Sequence, residues 1–343
     1  MRNRAATAAL LSMLMLVATL PASAGPGVTI DPVKTTAKTE FLPAPGTSVT
    51  HGYFAWSSPV SGRSHVFVEV DGGPKSQIDN GVYGFAGAFA AGEDNLIFQQ
   101  IKFPGGDAQS DLRMWDGLTG DTNAFVSAIN TAQWQWAPSY DHDGADNLWL
   151  LYGENRFNGP KAPWRVILFD GSTDTKQVLA ETTYRCGCIF PGTFAYPWVS
   201  WNKGLDGAVW RMNVETDVKE KLSVPGNRDE HSIGVTADGT AYVVQDGAAC
   251  GTHSKIFRVD PDGTATLIYS LPAGTEAYTL APFDTGTGID VYFDRYKCST
   301  KRYDIYVIRD AEAVTRTAPL HLGSGTAAPA GGRRFPVGSV PPR

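Results

Sequence analysis

One strand pattern recurs six times along this chain, and each copy closes on an acidic or amide residue. The copies are His65-Val-Phe-Val-Glu-Val-Asp71, Leu112-Arg-Met-Trp-Asp116, Val166-Ile-Leu-Phe-Asp170, Val209-Trp-Arg-Met-Asn213, Ile256-Phe-Arg-Val-Asp260 and Ile305-Tyr-Val-Ile-Arg-Asp310. The closing residues stand 43 to 54 positions apart, the size of one four-stranded propeller blade. A second apolar strand precedes each copy: Tyr53 to Trp56, Leu96 to Gln99, Leu148 to Tyr152, Ala195 to Trp201, Ala241 to Val244 and Ile289 to Phe293. Turn residues such as Glu93-Asp-Asn95 and Ala237-Asp-Gly239 stand ahead of several of these, which is hairpin punctuation. A polar turn and a weaker strand follow, as at Lys176 to Ala180 and Ala265 to Tyr269. Each unit reads as strands A, B, C and D, so the expected fold is all-β, a six-bladed β-propeller with four-stranded blades.

A β-sandwich is the structural rival, but it has no need of six near-equal units, whereas a propeller buries both faces of every sheet against its neighbours. No extended segment carries helical periodicity with caps, which argues against α/β architectures. Charged residues are only 19% of the 343, against 37 Gly and 22 Pro, a balance suited to short strands and tight turns.

Two copies carry a family likeness. Asp290-Val-Tyr-Phe-Asp-Arg295 followed by Tyr303-Asp-Ile-Tyr-Val-Ile308 resembles the TolB-type propeller repeat, and Trp136-Ala-Pro-Ser-Tyr-Asp-His-Asp-Gly144 before Leu148-Trp-Leu150 is similar to the Trp-Ser-Pro-Asp-Gly start of that repeat, with extra residues between Pro138 and Gly144. The other four copies match mainly in hydrophobic pattern. The resemblance implies a propeller over roughly residues 50 to 320. It does not imply a Tol-Pal role, because TolB has an α/β domain before its propeller and here about 25 residues separate the first blade from the leader. A propeller scaffold hosts binding proteins, hydrolases and lyases alike.

Residues 1–24 read as an export signal, with Arg2 and Arg4, an apolar stretch from Ala8 to Leu20, and a small-residue cleavage site at Ala22-Ser23-Ala24. The expected organisation is signal 1–24, an N-terminal extension 25–47, propeller 48–322 and a disordered Gly/Pro-rich tail 323–343. The expected location is secreted or periplasmic, without membrane insertion. Net charge is -6, and no Lys/Arg cluster outside the signal stands clear of the tail, so nucleic acid is excluded as a partner. Export favours disulfides for Cys186, Cys188, Cys250 and Cys298. Four cysteines allow three pairings; the one-blade spacing of Cys250 and Cys298 favours those two, leaving Cys186 and Cys188 bridged to each other or reactive.

In such a propeller the D-to-A and B-to-C connections emerge on one face, where ligands usually sit. That topology nominates Tyr83, Trp134, Trp136, Arg185, Phe190, Asp229, Glu230, His231, Glu276 and Tyr278, with His51 entering from the first blade. His231 among carboxylates can act as base, metal ligand or anchoring donor; the plain alternative is a solvated surface loop. His51 and His231 alone are too few for a metal centre, so no metal or cofactor is expected. Trp134, Trp136, Trp198 and Trp201 could form a stacking platform or could be core. Asp141-His-Asp143-Gly-Ala-Asp146 lacks the alternation and distal Glu of a calcium loop and reads as a turn.

No Gly-x-Ser-x-Gly elbow, His-Glu-x-x-His or phosphate-cradling loop is present. The leading expectation is a monomeric, non-catalytic module that holds a small molecule, a glycan or a protein on its top face. The alternative is a glycan-directed hydrolase or lyase with His231 as base and Asp229, Glu230 or Glu276 as acid or orienting group. A purely structural module would present an exposed apolar patch, of which the sequence gives no sign.

Overall fold

The computed structural model describes residues 23–24, 28–80, 82–102, 109–125, 129–130, 134–155, 163–183, 189–203, 207–226, 230–245 and 253–313. All regular elements among them are strands. After β1 (Ser23–Ala24) and β2 (Thr29–Lys34) come β3 (Phe41–Thr47), β4 (Gly52–Val60), β5 (Arg63–Val70) and β6 (Ser76–Gln77). There follow β7 (Gly84–Phe89), β8 (Asn95–Lys102), β9 (Gln109–Asp116) and β10 (Thr122–Ala124), then β11 (Trp134–His142), β12 (Leu148–Asn155), β13 (Trp164–Asp170) and β14 (Thr175–Thr182). The rest are β15 (Ile189–Ala195), β16 (Trp198–Lys203), β17 (Ala208–Asn213), β18 (Val218–Leu222), β19 (Glu230–Val235), β20 (Ala241–Gln245), β21 (Lys255–Val259), β22 (Ala265–Ser270), β23 (Thr275–Asp284), β24 (Ile289–Lys297) and β25 (Arg302–Arg309).

These strands form five sheets in a propeller arrangement. Four of the sheets are single antiparallel meanders: β3 to β6; β15 to β18; β19 to β22, with β1 added on β22; and β23 to β25, with β2 added on β25. The fifth sheet has eight strands, β7 to β14. The sequence pattern predicts six separate four-stranded sheets, and here the structure corrects it. The three-residue β10 covers β9 only at Arg113, Met114 and Trp115, so the Ser110 end of β9 stays open and pairs in parallel with Trp134 of β11. Residues expected to be an N-terminal extension supply β2 and β3; the chain end beyond residue 313 lies outside the described residues.

The closing Asp or Asn of the repeated strand has a local cause. The Asp116 carboxylate accepts the Leu118 N–H at 2.8 Å, Asp170 accepts Ser172 N–H at 2.8 Å, and the Asn213 amide oxygen accepts Glu215 N–H at 3.0 Å. Each side chain thus folds the C-to-D turn onto itself. The innermost strands carry prolines, at Pro43 and Pro45 of β3, Pro138 of β11, Pro191 of β15 and Pro282 of β23. An edge strand tolerates the missing N–H, and the innermost strand of a meander is such an edge. Neighbouring sheets pack face to face: Leu42, Tyr53, Val66 and Val68 of the first meander meet Phe85, Phe89, Leu96 and Phe98 of the next.

The ends of the strands define two faces. The A strands begin at the upper end, which therefore carries the D-to-A and B-to-C connections; the A-to-B and C-to-D turns lie at the lower end.

Candidate functional site

His231 stands at the start of β19, and its Nε2 lies 2.6 Å from the Ala277 carbonyl oxygen of β23. A carbonyl only accepts, so Nε2 carries the hydrogen. Nδ1 is buried without a hydrogen-bond partner. The imidazole packs against the Tyr278 ring, with centroids 5.6 Å apart. The Tyr278 hydroxyl in turn donates to the buried Glu276 carboxylate. Three of the residues nominated from the sequence, His231, Tyr278 and Glu276, are therefore connected in one chain of contacts at the upper end. Glu230 sits beside them on β19 with its carboxylate accepting the Val224 N–H at 3.3 Å.

The sequence reading missed what surrounds this chain. Tyr278 meets Tyr303 at 5.7 Å and Tyr296 at 6.1 Å, while Tyr296 and Tyr303 lie 4.9 Å apart and Phe41 packs on Tyr303 at 5.8 Å. All four rings are half-buried. Tyr296 is the last residue but one of the B strand β24 and Tyr303 the second of the C strand β25, so both belong to the same upper end. The signal was present, since a B-to-C connection was expected on this face, but Tyr303 was read only as part of the Tyr303 to Ile308 strand and Tyr296 was not singled out. Beneath them, Asp294 is buried and accepts the backbone N–H groups of Tyr278 at 3.1 Å and Thr279 at 2.9 Å. Burial pushes its carboxyl above the usual range despite those bonds. Burial, together with the nearby Asp294, Tyr296 and Glu276 charges, pushes the Tyr303 phenol up. Glu40, just before β3, is also buried; its Oε1 accepts the Thr36 hydroxyl at 2.5 Å and its Oε2 has no partner.

Other nominated residues are placed differently. His51 lies in the A-to-B turn before β4, at the lower end, bonded through Nδ1 to Asp71 Oδ2 at 2.7 Å; it is at the opposite end of the strands from His231, which corrects its assignment to the upper face. Trp136 is 3% exposed. It lies edge-on to Trp164 at 4.9 Å and over Gly153, where a Cβ would come within 2.1 Å of its ring. It is core and not a stacking platform, because an inner blade strand is covered on both faces. Trp201 is buried, stacked on Trp210. Trp198 covers Gly239 and the Arg211 guanidinium. Trp134 and Phe190 are half-buried at the upper end, and the Phe190 N–H bonds Asn202 Oδ1 at 2.5 Å. Arg185, Asp229, Cys186, Cys188 and Cys250 lie outside the described residues. Cys298 lies in the β24–β25 connection.

Tyr83 sits in the D-to-A connection before β7, with the Arg63 guanidinium 4.6 Å from its ring centre and His65 stacked at 6.4 Å. His65 is itself buried and bonds Asp79 at 3.0 Å through Nδ1. Asp143 in the suspected turn accepts from Asn147 and from the Ala145 N–H, and these bonds, the Asn147 side chain foremost, lower its carboxyl to about 2. Among the described residues no group of three or more His, Cys, Asp or Glu could hold a metal ion.

No protein-family model matches the chain, and no curated protein matches it. Among solved structures, virginiamycin B lyase from Staphylococcus aureus, a catalytically inactive variant with quinupristin, superposes with a TM-score of 0.48 at 9% identity, over 82% of this chain and 99% of that one. An oligogalacturonate lyase in complex with manganese gives 0.45 at 11% identity, over 84% and 97%. TolB from Acinetobacter baumannii gives 0.45 at 12% identity, over 72% of this chain and 60% of that one.

Proposed function

We propose that this chain is an exported six-bladed β-propeller that binds a small molecule, glycan or protein at its upper face without transforming it. The half-buried ring cluster of Phe41, Tyr278, Tyr296 and Tyr303 over the Glu276 carboxylate carries this reading. Aromatic faces edged by hydroxyls and a carboxylate offer stacking together with directional polar contacts. The imidazole is poorly placed as a base, since Nε2 is committed to a backbone carbonyl and Nδ1 is sealed off. Titration of the protein with a panel of oligosaccharides and aromatic solutes, followed by tyrosine fluorescence, tests this. Binding that weakens at least tenfold in Tyr278→Ala, with solutes recovered unchanged, supports it; consumption of a solute that stops in His231→Ala would establish the hydrolase or lyase reading instead, for which the His231–Tyr278–Glu276 connection is the favouring feature.

Six blades follow from treating the eight-stranded sheet as two meanders joined at one bridge. The same register shift between A and B strands supports this count, occurring at Phe41/Ala44, Phe85/Ala88, Trp136/Ser139, Pro191/Phe194, Glu230/Ser232 and Ala277/Leu280. Export rests on the leader read from residues 1–24, and intact mass of the secreted protein beginning at Gly25 is the check. The Cys250–Cys298 pairing rests on their one-blade spacing, and non-reducing peptide mapping tests it.

A further inference from the structure

The lower end holds an open cleft of about 390 Å³ at the seam where the first and last meanders meet. Its walls are Tyr53 and Phe54 of β4, Phe283 of β23 and Tyr292 of β24, and its rim carries Glu69 and Asp71. Phe54 and Tyr292 lie 5.5 Å apart and Phe283 stands edge-on to Tyr292 at 6.3 Å, so three aromatic rings from two sheets converge on one space.

Two of these rings, Phe54 and Tyr292, and the neighbouring Trp56 already have cations of the chain beside them. The Lys34 ammonium sits 5.9 Å from the Phe54 centre and 4.6 Å from Trp56, and the Arg309 guanidinium lies 6.0 Å from Tyr292. Lys34 also closes a two-pronged pair with Glu69, at 2.6 and 2.7 Å, which takes the Glu69 charge out of consideration. Asp71 differs. Its carboxyl is held below the usual range, first by the Gly52 N–H and then by His51, and its side chain is 56% exposed. It is thus an ionised, water-accessible carboxylate beside an aromatic-walled space, with no lysine or arginine paired to it among the described residues.

The geometry points to a second ligand site at this lower cleft, one that takes a small organic ammonium ion carrying apolar bulk. Such an ion places its charge against Asp71 and its alkyl groups on the Phe54 and Tyr292 faces. An anion would meet the Asp71 carboxylate at the rim, and a neutral apolar solute would leave the Asp71 charge unused. The site is independent of the upper face, which lies at the other end of every strand.

Calorimetric titration of the full chain with choline, with its neutral isostere 3,3-dimethylbutanol and with acetate tests the assignment. Choline is expected to bind, with the isostere roughly tenfold weaker and acetate silent, the discrimination a desolvated cation–aromatic contact supplies. Asp71→Asn should weaken choline binding several-fold. The backbone at Asp71 is left-handed, with φ of 53°, which Asn accepts, so the variant keeps the turn; any drop in unfolding temperature from the weakened Gly52 and His51 contacts is measured separately, and binding is compared well below it. Phe54→Ala should also weaken binding, whereas Tyr278→Ala at the upper face should leave it unchanged. Equal binding of choline and its isostere, no choline binding, or an Asp71→Asn variant that binds choline as the wild type does would each overturn the proposal.

Discussion

Asp294 and Asp143 are both aspartates beside backbone N–H groups, yet their surroundings push them in opposite directions. Burial raises Asp294, so the fold favours its neutral acid, and its contribution to stability falls as pH rises through the usual carboxylate range. Asp143 is lowered from 3.8 to about 2, so its contribution is present above that range and lost as pH falls towards 2. Thermal unfolding of Asp143→Asn against wild type should show a deficit at neutral pH that closes between about 4 and 2; a pH-independent gap would mean that shape rather than charge matters in this turn. Packing makes a second residue-scale prediction. A methyl group on Gly153 would collide with the Trp136 ring at 2.1 Å, so Gly153→Ala should cost about 1–3 kcal/mol in urea unfolding, the usual penalty of overpacking.

Along the elements, one device repeats that no single strand reveals. Arg211 is 1% exposed and donates to the carbonyls of Gly239 at 2.6 Å and Pro261 at 3.0 Å, both in turns of the following sheet, while its Nε pairs with Glu220 at 2.7 Å. Arg258, at the same distance before its closing Asp, reaches Glu312 O at 2.9 Å in the sheet after that. Arg211→Met keeps the apolar stem but leaves both carbonyls without their donor, and should cost about 1–3 kcal/mol, the scale for buried polar groups left unsatisfied. Denaturant titration reads this directly. The repeated Asp or Asn was legible in the sequence because the turn it closes is local, two residues away. The parallel bridge between β9 and β11 was not, because it depends on how short β10 is. Nor was β3, since Pro43 and Pro45 read as a linker unless the strand is already known to be an inner edge. His51 was expected beside His231 although Tyr53 to Trp56 already read as a second strand, and a second strand begins at the lower end. Trp136 misled for a related reason: alternation places it on the face of Trp134 but says nothing of depth.

At the scale of the whole molecule, the ring is completed by β2, which pairs with β25 from Thr29↔Arg309 to Lys34↔Ile305. Arg309 reinforces this from β25, reaching Asp31 at 3.1 Å and Asp290 at 2.6 Å. Deletion of residues 28–34 should therefore expose the edge of β25 and open the seam holding the lower cleft. Limited proteolysis should then cut first around β23 to β25, and choline binding should disappear while solute binding at the upper face weakens less. If the deletion variant resists protease as the wild type does, closure by β2 is dispensable.

Closure also sets an order of assembly. Asp31 and Arg309 are 278 positions apart, so during synthesis β2 is made long before the strand it pairs with. Meanders formed in between can stack one on another as they appear, but the circle cannot lock until the end arrives. Until then β2 has no strand beside it to take up its backbone hydrogen bonds.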